Sequence, residues 1–444
     1  MRGRPVAACV AIAAAAAAFF SNVSSAAANV GGRQLVTAPV NRVLVVSLPY
    51  VSWPDLAAVS LPNLDALFAE SAVGNLTIRT VGRRDLSAGY VTLGAGTRAS
   101  STGTPSDGAA LETTEAFGDQ SAREVFRQRT GRSVSRGVVH LGIGPLLDAN
   151  RDLHIDLRVG ALGDALARHG IARAVIANAD GYVAPGTASA YHRDAIETLM
   201  DSKGAVPAGE VGETLLSKDP AAPFGVMTNV DATLDAFRAV WRSRSVVLVE
   251  ASDLVRAAQL GTESSAPASN VAFHRLVGGL LREVDPRRDA VVVVGPVAGS
   301  DDDNMTVVAV RAPNLEPGFL RSASLRRSGF VLVADVAPSV LKLLGMSPPS
   351  HMQGSEFTVA STHRSAEGRR ATLVDARSDA KFRDRVRRPV ALIFIVFSGV
   401  IALGATLLLA RRARWVVPRW VVFALLVLLG FVPAVYLARL LPFR

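Results

Sequence analysis

Val43–Leu48, with the sequence VLVVSL, is the first of several short apolar runs that decide the fold. Ser245–Glu250 (SVVLVE) and Ala290–Val294 (AVVVV) repeat its pattern. Short, continuous runs of β-branched residues are typical of strands that are buried on both faces of a sheet. The sequence therefore predicts that Val43–Leu48, Val246–Val249 and Val291–Val294 are interior strands.

Segments with a helical spacing of apolar residues lie between these runs. The predicted helices are Leu61–Ser71, Ala161–His169, Ala232–Trp241, Ser269–Val284 and Val336–Leu344, and further strands are predicted at Ala172–Ala177 and Met305–Arg311. Strands that alternate with helices indicate an α/β fold. We expect a mostly parallel sheet with helices on both of its faces.

Both ends of the chain carry apolar segments. The first 28 residues combine a basic start, an apolar stretch and small residues at Ala26 and Ala28, a pattern typical of a secretory signal peptide, with an uncleaved anchor helix as the alternative. Val390–Ala410 and Trp420–Ala438 contain no charged residue. Each is long enough for a hydrocarbon core of about 30 Å, so a transmembrane helical hairpin is predicted.

The loop Arg411–Arg419 holds four arginines, which favours a cytoplasmic position. The predicted organisation is a signal peptide over 1–28, an exported domain over 29–354, a linker over 355–389 and two transmembrane helices over 390–438. The linker is assigned because Ser355–Arg388 is polar, mixed in charge and without clear periodicity. We expect the protein in the cell membrane, with its main domain outside the cytoplasm.

The formal net charge of +10 is concentrated near the predicted membrane segments. Residues 381–444 hold 11 basic residues and one acid, whereas residues 1–380 hold 37 of each sign. Basic residues beside apolar spans are typical of membrane-interface anchors. The expected partner is therefore a lipid bilayer, and no nucleic-acid partner is expected. The single cysteine, Cys9, excludes a disulfide scaffold.

Four segments resemble the alkaline phosphatase superfamily, which includes cofactor-independent phosphoglycerate mutases, sulfatases and nucleotide phosphodiesterases. They are Val43–Leu48 followed by Val51–Trp53, Leu61–Asp65 (LPNLD), Leu162–Leu166 with Gly170 and Ala174–Ala177, and Phe330–Gly345 with Pro348, Met352 and Gly354. The resemblance covers roughly residues 40–355 and implies an alkaline phosphatase-like fold. The whole chain also resembles exported membrane proteins of actinobacteria.

The resemblance implies two metal ions and a Ser or Thr nucleophile, with Asp and His ligands at strand ends. Metal ions of this kind activate the hydroxyl group and neutralise the transferring phosphoryl group. Ser47-Leu48-Pro49 stands where the first strand would end in Asp, and Gly295-Pro296-Val297 stands in place of Asp-His-Gly. Asp253 is present, but neither Leu254–Ala258 nor Ser322–Val333 contains the expected His. The sequence therefore predicts that the two-metal site is lost. Only Asp253 remains of the implied ligands, and no residue is assigned as a metal ligand.

The implied nucleophile position falls on Leu86, with Ser87 beside it, and Arg83 and Arg84 nearby could hold an anion. The alternative, which we favour, is that Ser87 caps an ordinary helix start. Ser87 and Asp253 are thus the candidate catalytic residues, although neither is assigned a role.

Other patterns favour structural interpretations. Asp301–Asn304 lacks the Gly and the distal Glu of an EF-hand loop, so we predict a solvated turn. Gly94–Gly96 is compatible with any tight helix packing, and His140 and His154 are too far apart in the sequence to indicate a metal site. Two further residues, Asp253 and Asp335, are expected to hold local loops by side-chain hydrogen bonds.

The predicted function is that of a membrane-anchored surface protein whose domain is non-catalytic, needs no cofactor and binds a ligand or partner in the cell envelope. A diverged phosphoesterase or sulfatase that depends on Zn or Mn remains an alternative. The other alternative is a structural subunit whose hairpin docks onto a membrane-protein partner.

Overall fold

The computed structural model describes residues 33–34, 39–153, 155–181, 191–261, 267–299 and 304–410, together with Phe423, Leu426 and Gly430. The chain forms two compact units, Met1–Val374 and Asp375–Arg444. The predicted signal peptide, the loop 411–419 and the acidic run 301–303 lie outside the described residues. So do all but three residues of the predicted second span.

Most strands of the first unit belong to one large sheet. In chain order the strands are β1 (Arg33–Gln34), β2 (Arg42–Ser47), β3 (Ala72–Thr77), β4 (Ala110–Glu112), β5 (Ala116–Phe117), β6 (Gln120–Ser121), β7 (Val138–His140), β8 (Ala172–Ile176), β9 (Ala205–Val206), β10 (Ala208–Glu210), β11 (Leu216–Lys218), β12 (Val226–Thr228), β13 (Ser245–Glu250), β14 (Asp289–Val294), β15 (Met305–Arg311), β16 (Gly318–Ser322), β17 (Phe330–Leu332) and β18 (Phe357–Ser361).

The large sheet has eleven strands in the order β1-β18-β16-β17-β3-β15-β14-β2-β13-β8-β10. All pairings from β14 to β10 are parallel, and so are those among β3, β16 and β17. β15 and β18 each run antiparallel to both neighbours. The sheet is therefore mixed and mostly parallel, as the sequence predicts. Short sheets formed by β4-β7-β9, β11-β12 and β5-β6 complete the strands.

The three predicted interior strands are confirmed. β2 lies between β14 and β13, and Val45 is paired with Val292 on one side and Leu248 on the other. β13 is also paired with β8, and β14 with β15. Every residue of β13 and β14 is buried, which is the physical reason for their continuous apolar sequences.

Helices cover both faces of the sheet. They are α1 (Trp53–Ala57), α2 (Pro62–Ala69), α3 (Leu86–Ala95), α4 (Ala122–Thr130), α5 (Ile143–Arg151), α6 (Ala161–Arg168), α7 (Val230–Val240), α8 (Ser252–Gln259), α9 (Pro267–Glu283), α10 (Val336–Leu343) and α11 (Ala366–Ala410). Val43 and Val45 of β2 pack in one core with α3, α6 and α10. Leu44 and Val46 pack in the other core with α2, α7 and α9. The predicted α/β layering is therefore present.

The predicted linker is partly wrong. Phe357–Ser361 is β18 of the large sheet, where it pairs with β16 and β1. The first turns of α11 also pack on the first unit, because the Asn75 amide donates to the Leu373 carbonyl at 3.0 Å and buried Arg369 donates to the Ala69 carbonyl at 2.9 Å. The compact unit accordingly continues to Val374 rather than ending at 354.

The second unit contains the rest of α11, which continues to Ala410 with Pro389 inside it. Large apolar side chains are exposed along this part of the helix, including Leu392, Ile395, Val400 and Leu403. Within the described residues, no helix combines the length and the apolar character needed to cross a membrane.

Candidate functional site

Polar side chains meet at the carboxyl ends of the central parallel strands. Ser47 ends β2, Glu250 ends β13, and the two residues are paired in the sheet. Both side chains are buried. Because ligands of open α/β sheets bind outside the carboxyl ends of the strands, this edge is the place to look for a site.

Tyr90 of α3 bridges the two strand ends. Its hydroxyl group donates to Oε2 of Glu250 at 2.5 Å and accepts from Oγ of Ser47 at 2.7 Å. The second oxygen of Glu250 accepts from the Ser252 hydroxyl at 2.7 Å. The Ser252 hydroxyl oxygen in turn accepts from the backbone amide of Asn178, two residues after the end of β8, at 3.1 Å. We call Ser47, Tyr90, Glu250 and Ser252 the Tyr90 network.

Burial decides the protonation of this network. It raises the pKa of Glu250, although the hydrogen bonds from Tyr90 and Ser252 oppose the shift. Burial also raises the pKa of Tyr90 well above its ordinary value, and the neighbouring Glu250 carboxylate adds to the effect. The Tyr90 hydroxyl group therefore keeps its proton and remains a donor.

The residues at this edge do not fit the two-metal site that the sequence resemblance implies. Both oxygens of Glu250 already accept hydrogen bonds from neutral hydroxyl groups. Leu48 and Gly295, which directly follow the ends of β2 and β14, have no metal-ligating side chain. Across the described part of the chain, no group of three or more His, Cys, Asp or Glu side chains is placed to hold a metal ion.

Ser87 does not cap α3, so that expectation is wrong. The N-cap is Asp85, whose carboxylate accepts from the Ala88 amide at 2.9 Å, and Ser87 is the second residue of the helix. A carboxylate reaches the free amide groups of a first turn as well as a serine hydroxyl does and also complements the helix dipole.

Ser87 instead belongs to a second buried cluster. Its hydroxyl group donates to Oε1 of Glu197 at 2.8 Å, and Nε2 of His140 lies 3.5 Å from the same oxygen. Nε2 of His140 is also 2.7 Å from the carbonyl oxygen of Asp107, so this nitrogen carries a proton and donates it. We call Ser87, Glu197 and His140 the Ser87 cluster; their exposed fractions are 3%, 0% and 0%.

The charges of the Ser87 cluster are suppressed by burial. Burial raises the pKa of Glu197 well above its ordinary value and lowers the pKa of His140. Asp194, on the same 3₁₀ turn as Glu197, also has a strongly raised pKa, from burial first and then from the charges of Glu197 and Glu250. Burial therefore disfavours the charged form of each of the three groups.

Two glycines let α3 approach the backbone on both sides. A Cβ atom on Gly89 would lie 2.1 Å from the Pro296 carbonyl oxygen, and one on Gly94 would lie 2.5 Å from the Glu197 carbonyl oxygen. The glycine pattern in this helix therefore serves tight packing, which brings Ser87 and Tyr90 to their partners.

The expectation that Asp253 holds a loop is wrong, because its partners lie at the end of β12 and in its own helix, α8. Its Oδ1 accepts from the Thr228 amide at 3.0 Å and from Arg256 at 2.6 Å. It lines a cavity of about 20 Å³, which has room for about one water molecule. Asp335 likewise accepts from the Ser324 hydroxyl and from the Leu332 and Ser355 amides.

Sequence reasoning missed Tyr90, Glu197 and Glu250. Glu250 did carry a signal, because it is an acid at the end of an otherwise apolar buried strand. Tyr90 and Glu197 had no such signal, since their partners are 160 and 110 residues away in the chain.

Comparison with known proteins gives structural similarity only, since no protein-family model and no curated protein matches the sequence. One similar structure is a protein of the alkaline phosphatase superfamily from Vibrio parahaemolyticus, 12% identical, with 73% of this chain and 71% of that chain covered and a TM-score of 0.40. A second is the lipoteichoic acid synthase LtaP from Listeria monocytogenes, 12% identical, with 73% and 75% covered and a TM-score of 0.39.

A third is alkaline phosphatase from the Antarctic bacterium TAB5, 10% identical, with 69% and 99% covered and a TM-score of 0.39. Because these identities and TM-scores are low, we draw no conclusion about activity from them. What the structure itself defines is an α/β protein with a mixed, mostly parallel sheet and a closed polar network at its carboxyl edge.

Proposed function

We propose that this chain is a membrane-anchored protein of the cell envelope with a non-catalytic, alkaline phosphatase-like domain that binds a ligand or partner. The observation that carries the proposal is the Tyr90 network. At the carboxyl ends of β2 and β13, the hydroxyl groups of Tyr90 and Ser252 donate hydrogen bonds to the buried carboxylate of Glu250. The Ser47 hydroxyl group is bonded to Tyr90. A buried carboxylate needs such partners, and both oxygens of Glu250 receive them from protein hydroxyl groups.

The Ser87 cluster supports the absence of catalysis. A nucleophilic hydroxyl group needs a base that takes its proton and a path for the substrate. Ser87 donates to Glu197, but both side chains are buried, so this pair is closed to a substrate. The 3% exposure of Ser87 leaves a substrate no approach to its hydroxyl oxygen.

The relation to the alkaline phosphatase superfamily is supported by the place of its closing motif. The segment Phe330–Gly345 folds as β17, a 3₁₀ turn and α10. The amide of Gly354 then donates to the Gly96 carbonyl at the end of α3. The resembling residues thus pack against the helix that carries Ser87 and Tyr90.

Membrane anchoring is supported by the exposed apolar side chains of α11 and by the uncharged segments of the tail. Side chains such as Leu392, Ile395 and Leu403 each gain free energy when a bilayer covers them. We propose that Val390–Ala410 and Trp420–Ala438 form the hairpin, with Arg411–Arg419 in the cytoplasm and the first unit outside.

One observation favours a second candidate, a diverged metal-dependent phosphoesterase or sulfatase. Ser87 lies in the first turn of α3, close to where the resemblance implies a nucleophile, and it is hydrogen-bonded to a carboxyl group. Opening of the cluster together with metal binding would be needed for activity.

A hydrolysis assay separates the two candidates. The purified full-length protein is mixed with p-nitrophenyl phosphate, bis-p-nitrophenyl phosphate or p-nitrophenyl sulfate, with Zn²⁺, Mn²⁺ or Mg²⁺ added. We expect background rates that Ser87→Ala leaves unchanged. Turnover that is lost in Ser87→Ala but kept in Ser121→Ala, a serine at the start of α4, would instead establish the enzyme.

A further inference from the structure

Three exposed arginines, Arg83, Arg84 and Arg98, lie on two loops that flank α3. We call them the arginine rim. The side chain of Arg83 is 72% exposed and lies 3.7 Å from Asp85. Within the described residues, Arg84 and Arg98 have no ion-pair partner. The rim therefore presents positive charge to the solvent.

The two loops form one surface. The Val81 amide donates to the Ala99 carbonyl at 2.8 Å, and the Ser101 hydroxyl group donates to Asp85 at 2.7 Å. Ser100 is held through both of its backbone groups by the side chain of Asn150, at 2.8 Å each. These bonds fix the backbone from which the rim side chains extend.

The loop beyond Ser101 is also rigid and carries hydroxyl groups. Buried Asp107 accepts from the amide and hydroxyl of Thr102 and from the Gly103 amide. A chain of hydroxyl groups then runs from Thr102 through Thr104 to Ser106 with spacings of 2.7 Å. Each hydroxyl proton is donated along the chain toward Asp107, from Ser106 to Thr104, from Thr104 to Thr102 and from Thr102 to the carboxylate. The chain therefore fixes the loop, and the oxyanion contacts are left to the guanidinium groups.

Gly103 places Arg83 against this loop. It has a φ of +70°, and a Cβ atom there would lie 3.0 Å from Cδ and 3.1 Å from Nη1 of Arg83. The Arg83 side chain thus lies flat across Gly103, beside the hydroxyl chain. A Cβ atom at residue 103 would be in close contact with the Arg83 side chain, which would shift by a few tenths of an ångström.

The rim keeps a net positive charge although Asp85 lies beside it. Asp85 forms an ion pair with Arg83 at 3.7 Å and also accepts from the Ala88 amide and the Ser101 hydroxyl, whereas Arg84 and Arg98 have no ion-pair partner among the described residues. Arg79 is exposed in the same loop, but the Ile78 amide is bonded to Asn304, which follows the acidic run 301–303, so we leave Arg79 out. Residues 1–380 have no net charge, and the rim is therefore a local excess.

We propose that the arginine rim binds an anionic polymer that bears phosphate or sulfate groups. Guanidinium groups match tetrahedral oxyanions with paired hydrogen bonds. Because single contacts of exposed charges are weak, a chain that carries many anions is held where a free ion is not. This rests on the proposed function, since a domain that binds without cleaving needs a ligand, and it identifies that ligand's class.

The test measures binding of end-labelled inorganic polyphosphate to the full-length protein in detergent, with dextran sulfate and poly-glutamate as further probes. The triple variant Arg83→Gln, Arg84→Gln, Arg98→Gln should weaken polyphosphate binding by about tenfold or more and lower the slope of log Kd against log salt concentration by about three. A matched triple, Arg123→Gln, Arg127→Gln, Arg136→Gln, removes three exposed arginines elsewhere and should change binding less than about twofold.

Binding of polyphosphate alone would define a phosphate polymer as the ligand, and binding of dextran sulfate as well would extend the class to sulfates. Equal losses in the two triple variants, equal binding of poly-glutamate, or no binding of either oxyanion polymer would overturn the proposal. Release of phosphate from polyphosphate would contradict the non-catalytic function and leave the rim assignment intact.

Discussion

The contact between Tyr90 and Glu250 explains how this domain keeps a carboxylate buried at the edge of its central sheet. An unpaired buried charge is costly, and a metal ion or a basic residue is the common remedy. Here neutral hydroxyl groups of Tyr90 and Ser252 bond both carboxylate oxygens. The Tyr90 hydroxyl group, which comes from α3, therefore occupies a carboxylate oxygen at the strand ends that could otherwise bind a metal ion or a substrate.

The buried acids make the stability of the domain depend on pH. The pKa of Glu197 is raised by folding, so the folded state binds its proton more tightly than the unfolded state. The contribution of Glu197 to the free energy of unfolding is therefore fully present below the ordinary Glu pKa of about 4.3. This contribution is lost as the pH rises toward the pKa that Glu197 has in the folded state. Each unit of difference corresponds to about 1.4 kcal/mol.

Replacing Glu197 removes that proton linkage. Glu197→Gln keeps an acceptor for the Ser87 hydroxyl and should stabilise the domain at pH 8 by about 1 kcal/mol or more. The loss of stability between pH 5 and pH 8, measured by near-UV circular dichroism during denaturation, should become smaller. Glu213→Gln, at an exposed position, is the control. An unchanged pH dependence in Glu197→Gln would contradict the raised pKa.

Among the helices, α3 contributes most to the candidate site because it carries both Ser87 and Tyr90. It reaches their partners only by close approach, with Gly89 against Pro296 and Gly94 against the 3₁₀ turn that bears Glu197. The packing of this helix and the chemistry of the site therefore depend on the same glycines.

Gly94→Ala tests this packing. The new methyl group would lie 2.5 and 2.7 Å from the carbonyl oxygens of Glu197 and Thr198. These are backbone atoms, which cannot relieve the clash by changing a side-chain rotamer. We expect a loss of about 3 kcal/mol in the free energy of unfolding. Gly144→Ala in α5, where nothing lies within 4 Å, should stay within about 1 kcal/mol of the parent protein. Similar values for the two variants would show that α3 is not tightly held.

The sequence predicts the elements of the fold better than the contacts of the site. Strands such as β2 and β14 follow from continuous apolar runs, because burial on both faces leaves a local signature. β18 was missed because this five-residue strand near one end of the sheet is specified by its partners β16 and β1 and has a weak pattern of its own. The Tyr90 network was missed because its members come from β2, α3 and β13, and only the folded chain brings them together.

In the protein as a whole, basic residues are in excess at two places, the arginine rim and the tail. The first 380 residues are balanced, yet the arginine rim gives them a local positive surface. The basic residues of the tail accompany apolar segments instead. We therefore propose two interactions, one with an anionic polymer and one with lipid, in a single chain.

The central claim is that the domain works without metal catalysis, and bound metal tests it most directly. The full-length protein is produced with Zn²⁺, Mn²⁺ and Mg²⁺ in the medium, purified without chelators and analysed by elemental mass spectrometry. A structural or catalytic zinc site needs three or four Asp, His or Cys ligands, so we predict well under one equivalent of each metal. Two equivalents of metal per chain that a chelator removes and added Zn²⁺ restores would contradict the account.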